Sequence, residues 1–235
     1  MNSGSGTADS QKRECALAAL SYVESGMVVG LGTGSTARHF IELLAGRIAN
    51  GKLTGISGVP TSVATEQQAG ELGIPLVELP PGGVDVAVDG MDEVDASLRA
   101  IKGLGGALTR EKIVASSAAT FVLIGDESKR VEQLGAETPV PVEVVGFGLA
   151  RTRALLADLG LDPQVRKMAN GEAARTDNGN PVLDCRIREP ERDLGELAQE
   201  LKSIPGVVEH GLFLDQAHVA LVATGKGITR LARVR

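Results

Sequence analysis

The chain reads as an α/β protein: a mainly parallel sheet with helices on both faces, joined to a smaller α+β unit. Three observations predict this. Short apolar runs with few polar interruptions alternate with helical patterns from Met27 to Ile124, as parallel strands buried on both faces require. The first run enters a glycine-rich turn, G-L-G-T-G-S-T (30–36), and leaves it as an amphipathic helix, the opening half of a βαβ unit. Beyond Thr138 the order becomes β-α-β-β-α-β. The larger unit is therefore expected to be Rossmann-like, and the smaller one of split-βαβ, ferredoxin-like type.

Taken in order, residues 1–10 (M-N-S-G-S-G-T-A-D-S) are small and polar and read as a disordered tail. Ala16, Leu17, Leu20 and Val23 fall at three-to-four spacing, so a helix is expected over Asp9–Ser25, capped by Asp9 or Ser10 and stopped by Gly26. Residues 27–32 read as a buried strand, and the helix after the turn runs to Ala49. Then come a short strand (Leu53–Ser57), a helix (Ser62–Leu72) and another strand (Pro75–Leu79). Val84–Val88 is a fourth strand and Leu98–Ile101 a fifth, before a helix over Leu108–Ala119 and a strand over Thr120–Ile124. The smaller unit opens on a proline-started strand, P-V-P-V-E-V-V (139–145), a helix over Leu149–Leu159 and a strand over Gln164–Met168. T-D-N-G-N (176–180) is a hairpin turn into Pro181–Arg188. A helix over Leu194–Ile204 and a strand over Val207–Leu214 follow, and His218–Ala223 returns to the first sheet. The expected domains are residues 11–137 plus 215–235, and residues 138–214.

Composition excludes several function classes. With four Phe, one Tyr and no Trp there is no aromatic platform for stacking bases, and a net charge of −6 leaves no large phosphate-backbone footprint. No nucleic-acid partner is expected. No apolar run reaches the length of a membrane span, and the first residues carry neither a basic n-region nor an apolar h-region, so the expected location is cytoplasmic. Cys15 and Cys185 cannot build a disulfide framework and read as half-buried thiols in a reducing compartment.

Chemistry concentrates in two places. In the turn at 30–36, glycines let backbone N–H groups approach an anion, the helix N-terminus adds partial positive charge, and Thr33, Ser35 and Thr36 bring hydroxyls. No Gly-Lys-Ser/Thr follows, so it is not a P-loop, and Ser35 stands where the dinucleotide fingerprint needs its third glycine. A small phosphate or carboxylate site and a plain strand–helix corner both fit. The second place is Val84–Ala115. There a strand ends in D-G-M-D-E-V-D (89–95), Lys102 precedes a glycine-rich turn, and Glu111 lies in the first turns of a helix. Carboxylates, a cation and a candidate base at the carboxyl edge of a parallel sheet suit proton transfer beside a carbonyl. Asx turns, a solvated acidic loop, or for Glu111 a helix-dipole partner, fit the same residues. A metal site is not expected, because calcium-loop spacing is absent and His39, His210 and His218 are scattered.

G-L-G-T-G-S-T-A, V-D-G-M-D-E-V-D, I-K-G-L-G-G-A-L-T-R-E-K-I-V-A and V-P-V-E-V-V, in this order and spacing, resemble ribose-5-phosphate isomerase, type A, from about Lys12 to Val222. The family pattern usually has alanine at Met91 and glycine at Leu104, and S-G-V-P-T-S (57–62) matches its substrate-covering loop only loosely. The resemblance implies reversible isomerisation of D-ribose 5-phosphate and D-ribulose 5-phosphate through an enediolate, in the non-oxidative pentose phosphate pathway. It implies no metal or organic cofactor, a small-molecule sugar phosphate as partner, and a homodimer or homotetramer built through the small domain. Carried over, Glu111 resembles the general base, Lys102 the cation on the enediolate oxygen, and Asp89 and Asp92 the carboxylates that open the furanose ring. Thr33, Gly34, Ser35 and Thr36 match the phosphate turn, and Lys12 and Lys129 two basic residues that close on it. Gly90, Met91, Gly103, Leu104 and Gly105 match substrate-contacting backbone. An amino-sugar deaminase or a lactonase on a related scaffold would be expected to use a histidine in catalysis, and none adjoins this set. A non-catalytic sugar-phosphate sensor would keep the turn and lose the acid–base residues.

Overall fold

The computed structural model describes residues 4–189 and 191–233. Helix α1 (Gly4–Ala19) is followed by β1 (Val28–Leu31), α2 (Ser35–Ala49), β2 (Ser57–Pro60), α3 (Val63–Glu71) and β3 (Val84–Gly90). Two short strands, β4 (Glu93–Val94) and β5 (Ala100–Ile101), precede α4 (Leu108–Ser117) and β6 (Ala118–Asp126). Next come β7 (Val140–Val144), α5 (Leu149–Asp158), β8 (Leu161–Val165), β9 (Val182–Ile187), α6 (Leu194–Ser203) and β10 (Val207–His210). The last strands are β11 (Leu212–Phe213), β12 (Val219–Thr224) and β13 (Gly227–Ala232).

The main sheet runs β13-β12-β6-β3-β1-β2, parallel throughout except for the β12–β13 hairpin. Because β2 lies outside β1 while later strands add beyond β3, the winding direction reverses between β1 and β3. At such a switch point the two following loops part and leave a crevice at the carboxyl ends of the strands. Alternate residues feed the two faces. Val86, Val88, Val122 and Ile124 pack with Phe40, Ile41 and Leu44 of α2 on one side. Ala87, Phe121 and Leu123 pack with Val114 and Ala115 of α4 on the other. Helix α4 lies close on β1: a Cβ at Gly30 would come within 2.6 Å of Val114 Cγ1.

A second sheet, ordered β10-β7-β9-β8 and antiparallel at every pair, is the split-βαβ arrangement the sequence predicts, with Leu156 of α5 and Leu197 and Leu201 of α6 in its core. Both cysteines are fully buried rather than half-buried, and burial pushes the Cys15 thiol up to about 12. Among the described residues no helix is long and apolar enough to cross a membrane.

Several elements differ from expectation. Helix α1 begins at Gly4, so residues 4–10 are helical rather than a tail, and Asp9 and Ser10 lie inside the helix rather than at its cap. Residues 1–3 lie outside the described residues. The early turns are tied to α2: Asp9 Oδ1 sits 3.0 Å from His39 Nε2, and Lys12 Nζ donates to Ser35 Oγ at 3.0 Å. The strand expected over Leu53–Ser57 starts only at Ser57, because Lys52 and Leu53 N–H groups turn back to the Arg47 carbonyl and Gly55 takes φ 68°. Pro75–Leu79 reduces to a bridge between Leu76 and Gly58 at the sheet edge, bounded by prolines that cannot donate to a ladder.

The fifth strand does not join the parallel sheet. β5 pairs antiparallel with β4 and β11 in a separate three-stranded sheet. The turn before it puts Leu98 at φ 64°, a conformation disfavoured for a branched residue. Asp95 holds it by accepting from Ser97 and Arg99 N–H, and the Leu98 side chain is buried. Strand β13 was not expected; its alternating I-T-R-L-A is an exposed edge whose pairing with β12 is set by the intervening turn.

Candidate active site

The turn after β1 and the end of β3 meet at the switch point. Gly32 N–H donates to the Val88 carbonyl at 3.0 Å, extending the β1–β3 ladder into the turn. Asp89 then folds across it, its Oδ1 accepting from Thr33 N–H (3.0 Å) and Gly90 N–H (2.7 Å). Only glycine fits at 32: a Cβ there would lie 2.2 Å from Asp89 Oδ1 and 2.5 Å from its Cα. Gly32→Ala is therefore expected to destabilise the protein by about 1–3 kcal/mol and to lower kcat at least tenfold by displacing Asp89; thermal melting and turnover check this.

Gly34, at φ 102°, leads into α2, whose first N–H groups, at Ser35 and Thr36, have no intrahelical acceptor and carry the positive end of the helix dipole. Ser35 and Thr36 line the pocket, with Lys12 reaching in from α1. Thr33 lines it too, but its hydroxyl is committed elsewhere. Its Oγ1 lies 2.8 Å from Thr61 Oγ1, donates to Ser62 Oγ at 2.8 Å and lies 3.2 Å from Thr65 Oγ1. That buried hydroxyl cluster stiffens the turn, and its only sequence trace is the S-x-x-T cap at Ser62–Thr65.

The opposite wall comes from β5 and α4. Lys102 follows β5, its N–H donating to the Gly211 carbonyl at 2.9 Å, so the side chain is aimed at β3. Its Nζ lies 3.1 Å from Asp89 Oδ2 and 3.5 Å from Glu111 Oε2, donates to the Gly90 carbonyl, and stands 5.6 Å from the centroid of the Phe213 ring. Gly103 (φ 97°) and Gly106 (φ 86°) turn the chain back so that α4 starts over the same edge; a Cβ at Gly103 would press within 2.5 Å of Leu108 Cβ. Asp92 Oδ2 accepts from Leu104 N–H at 2.9 Å. Leu104 is 41% exposed and does not line the pocket. Gly90, Met91, Gly105 and, from the far side, Lys129 complete the lining. Met91 packs on Gly125 of β6. Glu93 and Asp95 stand apart: Glu93 accepts from Gly135 and Thr138 N–H, and Asp95 builds the turn before β5.

Asp89 (2% exposed), Lys102 (2%) and Glu111 (4%) are thus two carboxylates sharing one ammonium out of water. Burial pulls Lys102 down, but Asp89, Glu111 and Asp92 outweigh it and hold the amine above its ordinary value, so it stays charged. Burial pushes Asp89 up, opposed by Lys102 and the two backbone N–H groups. Burial, then the neighbouring Asp89, pushes Glu111 up to about 8, with Lys102 opposing. Glu111 Oε2 accepts no hydrogen bond, so a lone pair is available to a proton. A carboxylate poised near neutrality beside a fixed cation is equipped to take a proton from carbon. The pocket encloses about 130 Å³ and adjoins a wider cleft of about 540 Å³ that shares Thr33, Gly34 and Ser35. Among the described residues no group of His, Cys, Asp and Glu is arranged to hold a metal ion.

Fold and pocket define an α/β protein of the doubly wound class, with an anion-suited turn and a buried acid–base cluster at its switch point. Residues 57–227 match the model of the family described as ribose 5-phosphate isomerase A (phosphoriboisomerase A). A ribose-5-phosphate isomerase A of Roseiflexus castenholzii is 51% identical over 224 residues, covering 94% of each chain. A probable ribose-5-phosphate isomerase 2 of Arabidopsis thaliana is 43% identical, over 94% of this chain and 86% of the relative. The solved ribose 5-phosphate isomerase of Plasmodium falciparum superposes with a TM-score of 0.93 at 40% identity, covering 97% of this chain and all of that one. The chain belongs to the ribose 5-phosphate isomerase A family. It is an isomerase, an intramolecular oxidoreductase by class.

Proposed function

We propose that the chain interconverts D-ribose 5-phosphate and D-ribulose 5-phosphate through an enediolate, with Glu111 as the proton shuttle. The observation that carries this reading is the Glu111–Lys102 contact of 3.5 Å, a raised carboxylate beside a buried cation. The phosphate sits against the Gly34–Thr36 turn, with Lys12 and Lys129 closing on it. Asp92, facing the pocket, and Asp89, directly behind Lys102, serve ring opening. With the sugar open, the Glu111 carboxylate takes the proton from C2 and the electron pair moves onto the carbonyl oxygen at C1. Lys102 stabilises the oxyanion that forms, the contribution that lowers the barrier most in such reactions. The same proton, or one exchanged with water, returns from Glu111 to C1 while the C2 hydroxyl gives up its proton to the oxygen on C1 and becomes the ketone.

A solved relative, 39% identical, is described in complex with phospho-erythronic acid, a molecule that joins a phosphate to a carboxylate. The turn and Lys102 offer one partner for each group. Incubation with ribose 5-phosphate in deuterated water tests the function: deuterium enters C1 of the ribulose 5-phosphate formed and C2 of the recovered ribose 5-phosphate. Absence of both product and label overturns the reading. The base must be ionised to work, so kcat/KM should rise with pH and level off above about 8, the value to which Glu111 is pushed. A profile flat from pH 5 to pH 9 would remove Glu111 from that role.

The same reading places the protein in the cytoplasm, where unpaired buried thiols such as Cys15 and Cys185 persist. It also makes the protein a homodimer or homotetramer built through the small domain, whose exposed Phe147 and Val145 suit a contact between copies. Sedimentation velocity tests the assembly.

A further inference from the structure

Four consecutive polar side chains, Thr109 to Lys112, open α4, and only Glu111 of these faces the pocket. The other three are tied to the small domain. Thr109 Oγ1 donates to Glu143 Oε2 of β7 at 2.5 Å. Arg110 Nε donates to Asn178 Oδ1 at 3.1 Å, and its Nη2 to the Asp177 carbonyl at 3.2 Å. Lys112 Nζ donates to Glu209 Oε1 at 3.0 Å and to the His210 carbonyl.

Glu143 is the unusual member. It is fully buried, 0% exposed, between Val142 and Val144 on the central part of a small antiparallel sheet, where an apolar residue would serve packing better. Among the described residues it has no ion-pair partner; neutral donors satisfy it instead. Thr176 Oγ1 donates at 3.0 Å, Asn180 Nδ2 at 2.8 Å and Asn178 Nδ2 at 3.1 Å to Oε1, while Oε2 takes the Thr109 hydroxyl. Burying a carboxylate without a cation costs several kcal/mol even when its lone pairs are filled. Among the described residues, its one side-chain hydrogen bond outside the small domain goes to the helix that carries the proposed base. Residues two apart on a helix point about 200° apart, so a hold on Thr109 sets the direction of Glu111 on the opposite side.

We propose that Glu143 is a positioning residue for the isomerisation, acting through Thr109 to fix the rotation of the first turn of α4 and with it the aim of Glu111. The T-D-N-G-N hairpin of the small domain then supplies the donors that keep this carboxylate in place. The inference rests on Glu111 being the base. Misplacement of a reacting group by about 1 Å can cost a hundredfold in rate, so a hydroxyl two residues away is a sensitive handle.

The test compares Thr109→Val, which removes only the hydroxyl, with Thr109→Ser, which keeps it, alongside Glu143→Gln and the Thr109→Val/Glu143→Gln double variant. Thr109→Val is expected to lower kcat about tenfold with KM within twofold, and to move the acid limb of kcat/KM to higher pH. A Glu111 that drifts from Lys102 loses the cation favouring its ionised form, while Asp89 and Asp92 still oppose it. Thr109→Ser restores both quantities. The double variant is expected to be no slower than the slower single variant, since both break one contact. A Thr109→Val kcat within twofold of wild type, a loss confined to KM, an unmoved acid limb, or single effects that multiply would each overturn the proposal. If Glu143→Gln fails to fold, the Thr109 pair decides alone. Glu111→Gln, run in parallel, separates the two readings. Turnover surviving in Glu111→Gln removes the base, whereas an inactive Glu111→Gln with an active Thr109→Val removes only the positioning role.

Discussion

Glu111→Gln is expected to cut turnover of ribose 5-phosphate by about a thousandfold, within the range that a positioned proton-transfer group supplies, while the sugar phosphate still binds. The amide keeps the shape and one oxygen of the carboxylate and loses the basic lone pair. The same substitution should stabilise the fold above about pH 4.5. Burial lifts Glu111 from 4.5 to about 8, so between those values the native state holds a proton that the unfolded chain has released. Stability therefore falls as pH rises through that window, and the loss is complete above about pH 8. Glutamine does not titrate. The melting temperature of Glu111→Gln should match wild type near pH 4.5, exceed it increasingly up to about pH 8 and keep a constant lead above that. Melting curves across pH, read beside turnover, check both halves. A variant that stays active, or a gap in melting temperature that does not grow with pH, would sink the assignment of a strained, buried base.

Lys102→Met should lower kcat by about a hundred- to a thousandfold, the usual cost of removing a group that stabilises a developing oxyanion, and raise KM far less. Lys102 is committed to Asp89 and the Gly90 carbonyl before substrate arrives, so its extra gain comes when negative charge forms on the sugar oxygen. A pure KM effect would demote it to ground-state binding. The fold should suffer too. Removing one partner of a buried ion pair costs about 3–5 kcal/mol, because Asp89 and Glu111 are left facing each other without a cation. Protonation relieves that, so the deficit should shrink as the pH is lowered. The two substitutions thus move stability in opposite directions at alkaline pH, which a general loss of packing would not do.

The two halves of this site were unequally legible. The turn at 32–36 and the D-G-M-D cluster are local: a strand, a glycine and a helix start within a few residues, and their geometry follows from backbone rules that act at short range. Lys102 and Glu111 were legible for the same reason, since Gly103 and Gly106 announce the reversal between them. That the Thr33 hydroxyl is tied to Thr61, Ser62 and Thr65 was not legible, because those partners lie 28 or more residues away. Likewise Leu98–Ile101 has the composition of a parallel strand, and only its pairing with Leu212–Phe213 turns it into part of a separate sheet.

From its residues alone the chain determined the alternation of strands and helices, the larger parallel and smaller α+β parts, the anion-suited turn and the set of carboxylates and cation. Periodicity and glycine placement act over one or two turns of chain, and such signals survive without any knowledge of the fold. The tertiary structure decided which of those groups are deprived of water, how the single ammonium of Lys102 is shared between Asp89 and Glu111, and that Glu143 of the small domain meets Thr109 on the helix that carries Glu111. Desolvation and long-range hydrogen bonds depend on which distant segments are brought together, and that is a property of the packed chain rather than of any stretch of it.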